Sequence, residues 1–371
     1  MPHALARIDL AALEKNIEIA RRRLARGVKI LFAVKSDAYG HGLEPVCRVA
    51  ETVGIDALGT TTVEEAVRVR EAGVKLPIVL LNPIHSSQVW KVLEHELTAS
   101  VGDPAVVRAL AREAQARDAV ANVHVNVDTG MRRFGLAPHA ALPLLELLRD
   151  EPAVRVKGVF THLTSAIPAD REDRMQSHDQ IETFRAFLAE LRKRDLLPAL
   201  RHVANSAGLI AYEREAVGAD LNMVRLGTLL YGYPEVAAPW AKSVAPVARL
   251  VTWIAALHDL APGETAGYRR SFRAAEDRRI AILPIGYGTG IPPRFSSGGV
   301  VLVNGMPAPA VGAVGLDHVA IDVTGIAGVA LGDEVEVFGS NLPADRAAAR
   351  IGLSVCEFLV PALQGSTRVS G

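Results

Sequence analysis

Leu97 to Val127 reads LTASVGDPAVVRALAREAQARDAVANVHVNV. A short apolar run, Leu97 to Val101, gives way at a turn to a segment of helical spacing rich in Ala, Arg and Leu, Pro104 to Arg117. A second, β-branched run follows from Ala121 to Val127. Pro104 suits a first helical turn, where the missing N–H removes no intrahelical bond. Strand, helix and strand in succession form the unit of a parallel sheet, because parallel neighbours need a crossover. The same rhythm extends in both directions: Lys29 to Val34, Ile55 to Gly59, Pro77 to Leu81, Val156 to Thr161, Leu200 to Ala204 and Leu221 to Leu226 bring the strand-like runs to eight. Helical patterns such as Thr62 to Ala72 and Asp173 to Arg194 lie between them. Eight alternating units predict an α/β fold, an N-terminal (β/α)8 TIM-type barrel, with an open doubly wound sheet as the alternative that the pattern leaves standing.

After Tyr233 the texture changes to short runs punctuated by Gly and Pro: Ile280 to Pro284, Val300 to Val303, Val319 to Val323 and Glu334 to Phe338. They predict a mainly β C-terminal domain, and with the boundary near Pro234 to Pro239 the expected partition is 1–236 and 237–371. Asn304-Gly305 marks a hairpin, while Pro307 and Pro309 predict an edge position for its second strand.

The chain has 371 residues, enough for two domains. Its 41 basic and 41 acidic side chains cancel, so there is no net basic field to attract phosphate backbones, and nucleic-acid binding is not expected. Apolar types at 49% and charged types at 22% allow a large core. Cys47 and Cys356 belong to no ligand spacing, which argues against a disulfide framework or a metal. No signal-like segment precedes Arg7 and Asp9, and Pro246 and Arg249 break the apolar stretch around Ala245 to Leu257. A cytoplasmic protein that does not enter a membrane is therefore expected.

In a parallel barrel the chemistry sits at the carboxyl ends of the strands. There the sequence places Lys35, after an almost wholly apolar run that lowers the hydration of its amine and favours a nucleophile, a base or a Schiff base. A strand-end lysine reaching to water is the plainer reading. Arg133 and Arg225 suit an anion, or else pair with an acid such as Asp128. His162 is a lone histidine, structural or catalytic. Ser206 with the Gly227 and Thr228 backbone N–H groups could hold a phosphate or simply form turns and caps. Gly286-Tyr287-Gly288-Thr289-Gly290 is followed by Pro292-Pro293 instead of a helix, so it is not a dinucleotide loop.

These motifs together resemble the alanine racemases, pyridoxal 5'-phosphate (PLP) enzymes built as a barrel followed by a β domain. Ala33 to Gly42 (AVKSDAYGHG), Asp128 to Arg133 (DTGMRR), Thr161-His162, Ala204 to Ala207 (ANSA), Val224 to Gly227 (VRLG), Gly267-Tyr268 and Pro284 to Tyr287 (PIGY) stand in the family's order. The resemblance implies an isomerase with PLP on Lys35 and the phosphate held by Tyr39, Ser206, Gly227 and Thr228. It places Arg225 at the pyridine nitrogen, Lys35 on one face of the substrate α-carbon and Tyr268 of the other subunit on the opposite face. His162 bridges Tyr268 and Arg225. Arg133 and the Leu316 N–H, with Asp317 beside it, bind the substrate carboxylate, and Tyr287 stands at the entrance. A homodimer and a D-alanine product follow from the same resemblance.

The chain departs from the family's pattern at several points. Asn126 stands where a carbamylated lysine is usual, Cys356 where a tyrosine narrows the entrance, Leu316 where a methionine precedes Asp317, and Thr289 and Ile167 where aspartates occur. These changes imply a wider entrance and a broader racemase, acting for example on serine. A fold-related PLP decarboxylase lacks its expected cysteine-aspartate pair here, and a non-catalytic PLP carrier would resemble the barrel alone.

Overall fold

In the computed structural model, which describes residues 2–218 and 220–371, strand β1 (Leu5–Ile8) is followed by eight strands that close into a barrel. They are β2 (Lys29–Ala33), β3 (Ala57–Thr60), β4 (Ile78–Leu80), β5 (Thr98–Val101), β6 (Ala121–Asn126), β7 (Val154–Phe160), β8 (Leu200–His202) and β9 (Met223–Leu226). Each pairs in parallel with its neighbour in the chain, and β9 returns to β2 through Leu31 and Arg225. The open doubly wound alternative is thereby excluded. Each of the eight anticipated runs supplies one strand. Along each strand alternate residues turn inward, so Leu31, Ala57, Val79 and Met223 meet in a buried cluster with Leu81 and Leu200 against it.

Local chemistry sets the helix starts. The Thr62 side chain accepts from the Glu65 N–H before helix Val63–Glu71, and Asp103 accepts from Ala105 before Pro104–Ala116. Asp170 accepts from Asp173 before Arg171–Lys193, so that helix begins ahead of the expected Asp173. Each cap satisfies an orphan donor and contributes about 1 kcal/mol.

The other compact unit comprises the N-terminal residues through Leu13, Tyr39–Gly42 and Ala245–Gly371. Its strands are β10 (Ala248–Trp253), β11 (Ala256–Leu260), β12 (Thr265–Ala266), β13 (Phe272–Arg273), β14 (Arg278–Leu283), β15 (Val300–Val303), β16 (Met306–Val311), β17 (Val319–Asp322), β18 (Glu334–Phe338) and β19 (Thr367–Ser370). Eight of them, with β1, form one sheet in the order β11-β14-β17-β16-β15-β18-β10-β1-β19. The division differs from the expected 1–236 and 237–371. Strand β1 pairs antiparallel with β10 and parallel with β19, so the N-terminus belongs to the β unit. Residues up to Val244 belong to the barrel unit, where the Arg23 guanidinium lies 5.9 Å from the centre of the Trp240 ring.

The hairpin forms at Asn304 (φ 50) and Gly305 (φ 75), the two left-handed residues that a tight turn between twisted strands requires. Its second strand is a correction. β16 lies between β15 and β17 and not at an edge. The Ala310 N–H donates to Gly299 on the β15 side, and by alternation the positions of Pro307 and Pro309 turn their missing N–H groups the other way. There β17 pairs only with Ala310 and Val311, beyond both prolines.

Candidate active site

Lys35 follows Val34 at the carboxyl end of β2 and begins a backbone that nothing in its composition announces. Ser36, Asp37, Ala38 and Tyr39 all have φ between 53° and 56°, a left-handed turn built without glycine. Such residues cost roughly 1–2 kcal/mol each, and the surroundings must hold them. The Ala38 N–H donates to Val34 O at 2.8 Å, and the Asp37 N–H to Glu65 Oε1 at 3.1 Å. Asp37 Oδ1 accepts from the Leu43 N–H at 3.1 Å and meets Arg68 at 3.3 Å. Backbone strain so firmly held, beside a pocket-lining lysine, is characteristic of a working site.

Lys35, Arg133, His162 and Arg225 line one pocket of the barrel, together with Asn126 and Asp128. At its floor Arg225 is only 6% exposed. Nη1 donates to His202 Nδ1 at 2.9 Å and to His202 O at 3.3 Å. Nη2 donates to Thr161 O at 2.8 Å, Val203 O at 2.9 Å and His162 Nδ1 at 3.1 Å. No carboxylate among the described residues pairs with it, and Asp128 instead accepts from the Gly130 N–H at 2.7 Å. Burial, with the Arg133 charge second, pushes the Arg225 pKa down to about 9, still above neutrality. The guanidinium is therefore a buried cation whose Nε has no partner among the described residues.

Arg225 in turn dictates the state of its imidazoles. His162 accepts at Nδ1, so its proton sits on Nε2. Burial first, then Arg225, Arg133 and Lys35, push its pKa down to about 3 and keep it neutral. His202 is likewise neutral, its pKa held well below the ordinary value by burial and by Arg225. It passes the hydrogen-bond chain from Nε2 to His124 Nδ1 at 3.1 Å. Sequence reasoning missed His124 and His202. The available signal was a histidine inside each of two strand-like runs, at positions whose alternation turns inward.

Ser206 and Gly227 come together: Ser206 Oγ accepts the Gly227 N–H at 2.8 Å and the Leu229 N–H at 3.3 Å. The Thr228 hydroxyl donates to Glu235 at 2.6 Å, an acceptor the sequence did not suggest. The Thr228 backbone N–H, in a residue 7% exposed, has no partner among the described residues, so it remains available to an anion. Arg133 lies exposed at the pocket, 5.5 Å from the centre of the Phe134 ring, and no described residue forms an ion pair with it.

The remaining candidates belong to the β unit. Tyr268 is 65% exposed, and its ring lies 5.7 Å from that of His318, which bonds Asp317 Oδ1 at 2.9 Å. Tyr287 and Leu316 are also exposed, brought together by the bonds from the Tyr287 N–H to Gly315 O and from the Gly288 N–H to Leu316 O. Thr289 Oγ1 closes the local turn on Gly286, and Cys356 lies in the first turn of helix Val355–Gln364.

Comparison with known proteins decides the family. The alanine racemase N-terminal domain matches residues 8–235 and the C-terminal domain residues 247–369. The chain belongs to the alanine racemase family. The alanine racemase of Syntrophobacter fumaroxidans is 38% identical over 344 residues, 92% of this chain and 89% of that protein. That of Geobacter sulfurreducens is 34% identical over 341 residues, 91% and 87% of the two chains. The solved alanine racemase of Clostridium difficile 630 superposes with a TM-score of 0.91 at 26% identity, covering 100% of this chain and 96% of that one. The Streptomyces lavendulae structure gives 0.90 at 28% identity, covering 99% and 97%.

Among the described residues of this member of the alanine racemase family no carboxylate pairs with Arg133. The neighbouring Asn126 brings only a neutral amide, and Gly135 packs so close that a Cβ there would lie 2.9 Å from the amide carbon. No helix among the described residues is by itself long and apolar enough to cross a membrane.

The buried imidazoles make the fold acid-labile. His124, its pKa pushed down to about 4 by burial and by Arg225, stays neutral in the folded chain, while the unfolded chain takes up a proton below about pH 6.5. The unfolded state then binds more protons, so stability falls as pH falls through the window from about 6.5 to about 4. Between pH 6.5 and 5, His124 alone removes about 2 kcal/mol. Urea midpoints should be clearly lower at pH 5 than at pH 7 and recover part of the gap in His124→Asn. Equal midpoints at the two pH values would contradict this.

Proposed function

We propose that this chain interconverts L- and D-alanine with PLP as coenzyme, as a homodimer whose subunits share each active site. Arg225 carries the reading: a barrel-interior guanidinium, held by two imidazoles and three carbonyls, that faces the Lys35 pocket without a carboxylate. The residues present fit the coenzyme. Lys35 offers an amine for the aldehyde, Arg225 an unpartnered Nε for the ring nitrogen, and Ser206, Gly227 and the Thr228 N–H a cradle for the phosphate. When bound, the coenzyme supplies a conjugated electron sink that acidifies the α-hydrogen of an amino acid.

The protein's own groups then determine the outcome. Arg225, charged at neutral pH, disfavours a proton on the ring nitrogen and so limits charge withdrawal, which favours simple proton exchange over side reactions. Racemisation removes a proton from one face and returns one to the other, so groups are needed on both sides. Lys35 Nζ serves one face and the Oη of the partner's Tyr268 the other. His162, with its proton on Nε2, donates toward that phenol and stabilises its ionised form. Arg133 takes the substrate carboxylate, with the N–H of the partner's Leu316. The exposed cluster of Tyr268, Tyr287 and Leu316 supports a subunit interface at this face of the β unit.

Solvent deuterium incorporation at the α-carbon tests the assignment. Lys35→Ala and Tyr268→Phe should lose washout from opposite enantiomers, while equal exchange in the parent and both variants defeats the two-base reading. Cys356, Leu316 and Thr289 in place of larger or acidic groups give a wider entrance. Serine should turn over within about tenfold of alanine, since one added hydroxyl is worth little in a roomy site. A substrate panel confined to alanine would remove that part. A cytoplasmic setting belongs to the same proposal.

A further inference from the structure

A second, larger cavity of about 600 Å³ opens at the opposite end of the barrel, among the amino ends of the strands. This is within the size range of small-molecule sites. Its accessible apolar wall includes Pro77, Val120 and Leu200, above the buried cluster of Ala57, Val79 and Met223, and His124 lines its inner end.

The hydrogen-bond chain described above fixes what His124 presents. Arg225 donates to His202 Nδ1, so His202 donates from Nε2 to His124 Nδ1. The neutral His124 must then carry its own proton on Nε2. His124 is 1% exposed, yet no described residue accepts that proton. The donor therefore faces the cavity, where an acceptor from outside the protein can meet it. Gly158 keeps the space beside the ring open, because a Cβ there would lie 2.9 Å from Cε1 and 3.0 Å from Nε2.

The rim has a different chemistry. Asp56 is engaged by Arg21 and the Ile30 N–H, and Arg70 by the carbonyls of Val74, Leu76 and His95. Lys29, Lys75 and Lys157 line the same cavity without an ion pair to any described residue, against one uncommitted acid, Glu96. The cavity thus has cationic groups at its mouth, an apolar wall and one N–H donor at its end. His124 is three residues along β6 from Ala121, about 10 Å at the rise of a strand.

We propose that this cavity binds an amphiphilic carboxylate. The carboxylate meets the lysine rim, the apolar body lies along Pro77, Val120 and Leu200, and a terminal carbonyl oxygen accepts the His124 Nε2–H. The occupant touches the hydrogen-bond chain that ends on Arg225, from the side of the barrel away from the candidate active site.

Calorimetric titration of the holoenzyme with 4-acetylbenzoate tests this, with 4-isopropylbenzoate as a partner of the same shape lacking the acceptor. The expected result is one 4-acetylbenzoate per chain, and binding of 4-isopropylbenzoate at least about tenfold weaker, the ratio for one hydrogen bond. The double variant Lys75→Ala, Lys157→Ala, altered only at the rim, should weaken both. Arg133→Ala, which disables carboxylate binding at the other pocket, should leave the affinity unchanged. No binding of 4-acetylbenzoate, equal affinity for the two benzoates, indifference to the rim lysines, or loss of binding in Arg133→Ala would each overturn the proposal. None of these readouts depends on turnover, so they stand apart from the racemase reading.

Discussion

A Lys35→Ala protein loses alanine racemisation by at least about 10⁴-fold, the largest effect expected of any single substitution in this chain. Lys35 combines two duties, covalent attachment of the coenzyme and proton transfer at one face of the α-carbon. Removing a positioned acid-base group alone costs roughly 10²–10⁴ in rate. The left-handed turn from Ser36 to Tyr39 strengthens the case, because four consecutive residues at positive φ fix where the strand-end lysine sits. The measurement is initial rates of D-alanine formation, paired with borohydride reduction and peptide mapping of the parent and the variant. Coenzyme found on a different lysine, or activity within tenfold of the parent, would sink the assignment.

Mixing two inactive proteins should restore activity. In a twofold dimer with shared sites, a heterodimer of Lys35→Ala and Tyr268→Phe has one site carrying both lesions and one carrying neither. Random exchange of subunits at equal amounts makes half the dimers mixed, so about a quarter of all sites regain parental composition. The check is racemase activity after subunit exchange, with differently tagged chains co-purified to show that heterodimers formed. An active mixture near that fraction supports the partner's Tyr268 as the opposing base. Verified heterodimers no more active than the separate variants refute it, because both groups would then act within one chain.

Much of this was legible before any coordinates. The eight barrel strands could be read because parallel strands buried on both sides demand apolar runs, and the intervening helices announced themselves by spacing and by caps such as Asp103. Lys35, Arg133, His162 and Arg225 were legible because a parallel barrel brings the ends of its strands to one mouth. Other features were not. The left-handed turn after Lys35 contains Ser, Asp, Ala and Tyr, whose local preferences point elsewhere, so only the contacts of Asp37 with Glu65, Leu43 and Arg68 reveal it. β16 lies inside the sheet because β17 engages it beyond the prolines, a matter of register that no local rule specifies.

By itself, the sequence determined the alternation of strand and helix, the order of the catalytic-type side chains and the absence of a net charge, all properties of residue type and spacing along one chain. Only the tertiary structure decided that β1 pairs with β10 and β19, that the imidazoles of His162, His202 and His124 are neutral, and that Arg225 lies among them without an acid. The physical reason is that pairing, desolvation and hydrogen-bond direction depend on neighbours brought from distant positions. Histidine and arginine carry no mark in the sequence of what will surround them.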